Sequence, residues 1–359
     1  MKKILHIAEP FATGVLSFLL DLTKRQVEEY EVYIIYGFRP LTPPDVESLF
    51  DKRIKFVKLN AFKGAIGSVI NINSYIQINK LFKKINPDIV HLHSSAAGFI
   101  GRWSLPVNKV KTFYTPHGFS FVKKDGSKIS NFCFRLIEKI SAKRNAKIIA
   151  CSYGEYQEAV KLTTNCTYIN NGINTAPLER YLLDNGLEFK KNKITVCTSG
   201  RILFQKNPTL FNHIAKLLPD VQFVWIGEGE LKTELVSPNI RVTGWISRNE
   251  ALKILSESQF FILPSRWEGL SISLLEAMYL KKVCLVSNVI GNKDVIINDK
   301  NGFICNNAKE YALNIRNIID GMSNADFITE NSHRDVNEFY NIDLMTKKYS
   351  DVYKCDIKN

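Results

Sequence analysis

The stretch Gln259-Phe-Phe-Ile-Leu-Pro-Ser-Arg-Trp-Glu-Gly-Leu-Ser-Ile-Ser-Leu-Leu-Glu-Ala-Met-Tyr279 decides how this chain is read. Its apolar opening, residues 259–263, has the length and composition of a short buried strand. A polar turn follows, and after it a run with helical spacing. That order places Glu268 in the turn and Glu276, eight residues on, in the first turn of the helix. Backbone N–H groups at a helix start lack intrahelical partners and favour an anion such as phosphate. Carboxylates on either side of such an anion accept hydrogen bonds from hydroxyls. The same residues also have a purely local explanation. Ser273-Leu-Leu-Glu276 fits a capping box, and Glu268 would then be a solvated turn residue. The rest of the chain has to choose between the two.

Strand-like apolar runs alternate with amphipathic segments over nearly the whole length. In the first half the strands read as residues 3–8, 31–36, 54–58, 88–91, 110–114 and 147–150. In the second half they read as 194–198, 222–225, 240–243, 260–263 and 283–286. Such alternation predicts parallel sheets covered by helices, and the near-continuous Val/Ile/Phe runs fit strands buried on both faces. The pattern lapses over residues 171–192, which reads as a linker. The expected architecture is α/β: two doubly wound, Rossmann-like domains, 1–170 and 193–335, facing a central cleft. A C-terminal segment, 336–359, is expected to pack back on the first domain.

Bulk properties set limits. The 359 residues, 45% hydrophobic, suffice for two domains with separate cores. Seven cysteines (133, 151, 166, 197, 284, 305 and 355) include no Cys-x-x-Cys pair, which disfavours a zinc site or disulfide framework and fits reduced thiols in the cytosol. Met1-Lys-Lys and the apolar residues after it imitate a signal peptide, but His6, Glu9 and Pro10 interrupt the run early. No apolar stretch approaches the length of a membrane span. The net charge of +13 is lopsided: residues 1–170 carry 25 Lys+Arg against 13 Asp+Glu, the remainder 23 against 22. A basic first half points to a polyanionic partner, anionic lipid or nucleic acid. No basic stripe interleaved with aromatics supports nucleic acid.

Several polar or glycine motifs follow directly after a predicted strand, where ligands of doubly wound sheets bind. Thr13-Gly14 precedes a helix expected over 15–27. His117-Gly118 follows Tyr114-Thr-Pro116. Ser199-Gly200-Arg201 is followed by Lys206 and a helix opened by Pro208, a combination suited to phosphate. Position 205 is Gln, so this is no Walker A loop, and Lys232 stands where a Rossmann fingerprint beginning at Gly227-Glu-Gly229 needs glycine. His91 and His93 alternate at a strand end; with no third ligand evident they read as packing or loop residues. No Asp-x-Asp occurs, which leaves a carboxylate-held metal without support, and no metal or other cofactor is expected. Charge on a diphosphate would fall to Arg201, Lys206 and a helix start.

In this order the motifs resemble the retaining GT-B glycosyltransferases that carry an E-x7-E signature, the bacterial group 1 enzymes of polysaccharide and O-antigen type. The resemblance rests on Thr13-Gly14, Thr115-Pro-His-Gly118, Ser152, Asn171-Gly-Ile-Asn174, Gly200-Arg201 with Lys206, Gly227-Glu-Gly229, Val242-Thr-Gly244, and Glu268 with Glu276. It implies a nucleotide-sugar in the second domain. Glu276 would hold the ribose and Glu268 the donor sugar. Arg201 and Lys206 would neutralise the diphosphate beside Gly200, Gly227 and the backbone of Gly269, Leu270 and Ser271. Gly244 would line the base pocket, and Gly14 would lie near donor phosphate and acceptor. His117 would touch the donor sugar and help stabilise an oxocarbenium-like transition state. Two departures stand out: Thr13-Gly14 where the family often has two glycines, and Asn174 where it often has Asp.

The resemblance further implies transfer of a hexose or N-acetylhexosamine, UDP-linked, to a glycan or polyprenyl-diphosphate-linked acceptor in O-antigen or capsule synthesis. The expected location is cytoplasmic, peripheral at the inner membrane face. Lys123, Lys124, Lys128, Lys143 and Arg144 around an amphipathic segment at 129–140, with Lys80, Lys83 and Lys84 after another, would meet anionic lipid. The commoner fate of such segments is to bury their apolar faces in the core. The competing readings are a nucleotide-sugar 2-epimerase on the same architecture and a basic nucleic-acid-binding protein.

Overall fold

The computed structural model describes residues 1–62, 64–123, 126–185 and 194–355. The chain divides into two compact units. The first takes Met1–Val122, Gly126–Asn171 and the C-terminal residues from Ile342; the second takes Gly172–Asn341, with which Lys123 also groups.

The strands of the first unit are β1 (Lys2–Ala8), β2 (Tyr30–Tyr36), β3 (Lys55–Lys58), β4 (Ile89–His93), β5 (Lys111–Thr115), β6 (Lys147–Ala150) and β7 (Cys166–Tyr168). Those of the second are β8 (Thr195–Ser199), β9 (Gln222–Ile226), β10 (Ile240–Val242), β11 (Phe260–Leu263), β12 (Val283–Ser287) and β13 (Phe303–Cys305). The helices are α1 (Thr13–Gln26), α2 (Ala65–Ile70), α3 (Ile72–Ile85), α4 (Ser94–Ser104), α5 (Lys128–Ser141), α6 (Tyr153–Val160), α7 (Ala176–Asn185), α8 (Pro208–Leu217), α9 (Arg248–Glu257), α10 (Ile272–Tyr279), α11 (Ala308–Ile319), α12 (Ala325–Phe339) and α13 (Ile342–Lys354).

Each sheet is parallel and doubly wound. The strand orders are β3-β2-β1-β4-β5-β6-β7 and β10-β9-β8-β11-β12-β13. Alternate residues of one strand serve different cores. Ile4 and Ile34 pack with Leu19 and Leu22 of α1, whereas Leu5 and Ile35 pack with Ile78 of α3 and Ile100 of α4. That double burial is why these strands carry apolar runs with little polar alternation. In the second unit Val196, Phe223, Trp225 and Phe260 pack against Phe211 and Ile214 of α8 and Tyr311 of α11.

The strand order of each sheet reverses once, between β1 and β4 and between β8 and β11. Connections leaving these neighbours run to opposite faces of the sheet, which opens a crevice at their carboxyl ends.

Four details differ from the sequence reading. The short strands β7 and β13, three residues each, do not stand out as runs. β4 continues to His93, because its two histidines are buried and hydrogen-bonded. The expected linker contains α7; its residues 186–192 lie outside the described residues. Gly14 is the second residue of α1, since the helix begins at Thr13.

α13 closes the first core. Its Ile342, Met345, Tyr349 and Tyr353 join the cluster built on α1. Tyr349 is wholly buried and meets Phe18 edge-on at 5.6 Å. Tyr349→Ala is therefore expected to cost the first unit about 3–5 kcal/mol, read as a lower urea midpoint. A loss below about 1 kcal/mol would show that α13 is an accessory.

Candidate functional site

In the second unit the expected residues collect at the carboxyl ends of β8, β9 and β11. Gly200 and Arg201 follow β8, and a short 3-10 turn, Phe204–Lys206, comes next. Asn207, in the left-handed region at φ 57°, ends that turn, and its side-chain amide donates to Pro264 O at 3.2 Å. Gln205 donates its side-chain amide to Trp267 O at 3.1 Å and accepts from Arg266 N at 2.7 Å. The turn thus clamps the loop after β11. This brings Lys206 Nζ to 2.7 Å from Glu268 Oε1, with both side chains largely buried. A pair 62 residues apart in sequence lies across the switch between β8 and β11.

Close backbone approach packs these loops together. Gly227 sits at φ 139°, and a Cβ there would lie 2.3 Å from Gly200 O. Gly291, at φ 84°, leaves no room either: its Cβ would lie 2.1 Å from Gly269 O. Both need glycine, for space as well as for conformation. Gly244 forms an isolated bridge with Gly227, and Gly227 N donates to Thr243 Oγ1 at 3.1 Å.

Glu276 needs correcting. It is the fifth residue of α10, beyond the first turn, and it does not cap the helix. Ser271 occupies the N-cap position without a side-chain cap bond; its hydroxyl meets that of Ser273 at 3.0 Å. The start of α10 therefore lacks a side-chain cap, next to the buried Leu270. Glu276 is buried and accepts from both terminal guanidinium nitrogens of Arg248, Nη1 at 3.0 Å. Arg248 opens α9, and no sequence signal marked it; only the folding of α9 beside α10 makes it a partner. Arg201 lies 3.7 Å from the exposed Glu230.

The first unit carries Gly14 and His117 at the carboxyl ends of its own strands. A Cβ on Gly14 would have nothing within 4 Å, so this helix start is open. His117 follows β5 in the left-handed region at φ 53°. Gly118 N donates to the buried Glu155 Oε1 at 2.6 Å, and Cys151 N donates to Oε2 at 2.7 Å. His117 is not isolated. Its Nε2 lies 3.2 Å from His93 Nδ1, and His93 Nε2 lies 3.0 Å from His6 Nδ1. His91 lies 2.8 Å from Thr115 Oγ1 and 2.6 Å from Tyr353 Oη.

The third histidine that His91 and His93 lacked in sequence is thus His6, from β1. The ligand atoms of the three lie within 4.8 Å of one another. Each ring nitrogen already has a hydrogen-bond partner. Neutral imidazoles in such a net are satisfied, which explains their burial. Burial lowers His6 to about 4 and holds His91 and His93 well below the ordinary value, the last two also under repulsion from neighbouring histidines: His6 and His117 for His91, and His91, His6 and His117 for His93.

The helix α5 faces the wrong way for a core element. Its inward side carries Glu138, which accepts from the buried Arg102 at 2.7 Å and from Tyr114 Oη at 2.9 Å. Ile129, Phe132, Leu136, Ile137 and Ile140 are exposed, Ile129 by 77% and Phe132 by 68%. Lys128 and Lys143 are exposed beside it, and Arg144 is half-buried over Trp103; Lys123 is exposed but groups with the second unit, and Lys124 lies outside the described residues. On α3, Ile72 and Ile76 are likewise exposed near Lys80 and Lys83.

Comparison with known proteins identifies the family and the fold. The sequence matches the family described as glycosyl transferases group 1 over residues 182–341 and that described as glycosyltransferase family 4 over residues 12–177. It is 32% identical over 272 residues, 67% of each chain, to an Escherichia coli UDP-Gal:alpha-D-GlcNAc-diphosphoundecaprenol alpha-1,3-galactosyltransferase. It is 22% identical over 92% of each chain to a Campylobacter jejuni N,N'-diacetylbacillosaminyl-diphospho-undecaprenol alpha-1,3-N-acetylgalactosaminyltransferase. In fold it is similar to sucrose-phosphate synthase from Thermosynechococcus elongatus, with a TM-score of 0.83, 15% identity and 98% of each chain covered.

Two predictions concern the scaffold. Gly227→Ala is expected to destabilise the second unit by at least about 1–3 kcal/mol, whereas Gly14→Ala should be neutral or gain up to about 1 kcal/mol; urea unfolding of both variants checks the contrast. For the buried histidines, unfolding restores values near 6.5. The unfolded chain then takes up protons that the folded chain refuses as the pH falls from 6.5 towards 4. Stability of the first unit should be full above that window and fall through it, by about 1.4 kcal/mol per pH unit for each such proton. Urea midpoints measured from pH 7.5 to 5 should show the decline, and His6→Gln should flatten it.

Proposed function

This chain belongs to the group 1 glycosyltransferases, and from that premise we propose that it moves a hexose or N-acetylhexosamine from a UDP-sugar to a polyprenyl-diphosphate-linked glycan, with retention and without a metal, in cell-surface polysaccharide synthesis. The observation that carries the proposal is the Lys206–Glu268 pair at the switch point of the second sheet, with the buried Glu276 and the uncapped start of α10 beside it. A diphosphate placed there meets Lys206 and helix N–H groups. It competes with Glu268 for the ammonium and frees that carboxylate for sugar hydroxyls. Glu276, oriented by Arg248, accepts the ribose hydroxyls, and Arg201 supplies a second cation.

In this reading the bond from the anomeric carbon to the leaving diphosphate breaks, and the acceptor oxygen bonds to that carbon on the same face. The acceptor proton passes to a diphosphate oxygen. The protein supplies no nucleophile; its contribution is charge fixed in advance around the leaving group. The nucleotide is assigned from the Escherichia coli relative, whose name specifies UDP-Gal, and the acceptor from that relative and the Campylobacter one, both of which act on diphosphoundecaprenol-linked sugars.

A lipid-linked acceptor requires access to a membrane surface. No helix among the described residues is long and apolar enough to cross a membrane. The outward apolar stripe of α5, flanked by lysines, has the form of an interfacial helix that lies in the headgroup region, and Trp103 beside it suits that depth. We assign peripheral attachment at the inner face of the membrane to this surface.

The donor site is tested by thermal shift with UDP-, GDP- and ADP-sugars in the presence of EDTA. A UDP-sugar at about 100 times its dissociation constant should stabilise the protein by about 2.7 kcal/mol, and Glu276→Ala and Lys206→Ala should each reduce the shift. No response to any nucleotide-sugar would contradict the assignment, and a response only without chelator would contradict metal independence. For the surface, the double variant Ile129→Glu/Phe132→Glu should abolish co-sedimentation with anionic vesicles while leaving donor binding intact. Equal binding of neutral and anionic vesicles by the unaltered protein would contradict the lysine contribution.

A further inference from the structure

One amide and three imidazoles form a continuous hydrogen-bonded chain in the first unit. Gln26 Oε1 lies 2.8 Å from His6 Nε2, His6 Nδ1 lies 3.0 Å from His93 Nε2, and His93 Nδ1 lies 3.2 Å from His117 Nε2. Gln26, His6 and His93 are buried, while His117 keeps partial contact with solvent.

We propose that Gln26, His6 and His93 are positioning residues that fix His117 as the neutral tautomer with its proton on Nε2 and an unshared pair on Nδ1. The argument is a count of donors. A neutral imidazole has one N–H and one acceptor nitrogen, and an amide oxygen only accepts. His6 Nε2 must then carry its proton, so His6 Nδ1 accepts. His93 Nε2 must donate to it, so His93 Nδ1 accepts, and His117 Nε2 donates in turn. The opposite polarity requires the Gln26 amide to turn over and donate its own N–H to His6.

The chain is a clamp and not a proton wire, because the amide oxygen at its inner end takes no proton at neutral pH. Burial lowers all three imidazoles, which agrees with a chain of neutral rings. The rest of the residue is held as firmly. Phe18 meets the His117 ring edge-on at 4.7 Å, and Glu155 anchors the adjoining Gly118 N–H.

A bare Nδ1 accepts a hydrogen bond and cannot donate one or carry charge to a phosphate. Its partner is therefore a hydrogen-bond donor, and under the transferase reading a sugar hydroxyl. The ligand depends on that reading; the tautomer does not.

Nitrogen-15 NMR of the histidine-labelled protein at pH 7.5 tests the two parts separately, with the signals of His117 identified by their loss in His117→Gln. The unaltered protein should show a pyrrole-like Nε2 and a pyridine-like Nδ1 for His117. Gln26→Glu, which keeps an acceptor at the inner end, should retain this pattern. Gln26→Leu removes the acceptor and should leave His117 averaged between tautomers. In a transfer assay Gln26→Leu should lower kcat by about 2- to 10-fold, the worth of one hydrogen bond, with the donor KM unchanged. A protonated Nδ1 on His117 in the unaltered protein overturns the proposal, as does an unchanged spectrum in Gln26→Leu. Should Gln26→Leu fail to fold, the spectra of the unaltered protein and Gln26→Glu still decide. If no transfer is detected while the spectra behave as stated, the clamp stands and the sugar assignment fails.

Discussion

Neighbouring parallel strands whose connections leave in opposite directions cannot both be covered at their carboxyl ends. Here that constraint operates between β8 and β11, and the loops leaving those strands are drawn together by the Lys206–Glu268 pair. Around this point the chain spends glycine where backbone must touch backbone, at Gly227 and Gly291. It also spends side-chain amides, Gln205 and Asn207, to hold one loop against the other. The ion pair has consequences in both directions. A buried charge left without its partner costs about 3–5 kcal/mol, so the crevice is preorganised around two charges that each need an answer. A ligand that answers both is favoured over water.

Buried polarity is handled differently in the first unit. Its β1–β4 switch is lined by buried histidines whose ring nitrogens are all hydrogen-bonded, and the proposed clamp fixes hydrogen-bond direction instead of net charge. The two units thus use one topology for different chemistry: fixed cations and carboxylates in the second, oriented neutral donors and acceptors in the first.

Much of this was legible in the sequence, for identifiable reasons. Runs such as Ile4–Ala8 and Phe260–Leu263 announce strands buried on both faces, and the glycines after them mark turns with special backbone geometry. Glu268, Lys206 and Gly200 were visible because they follow such runs directly. What stayed hidden depends on long-range contact. Arg248 has no local feature that pairs it with Glu276, 28 residues on. His6 joins His91 and His93 only because β1 lies next to β4. The amphipathic spacing of α5 was plain, yet periodicity alone does not say which face is buried; Glu138 on Arg102 turns the apolar face outward. The capping box at Ser273 failed because the helix starts two residues earlier than that pattern needs.

Hydrogen exchange with and without a UDP-sugar bears most directly on the central claim, that the crevice between β8 and β11 holds a nucleotide diphosphate. The account predicts slowed exchange confined, in the second unit, to residues 200–206, 227–229, 243–248 and 268–276, with the rest of that unit unchanged. Binding that leaves those segments exchanging at their original rates would contradict it.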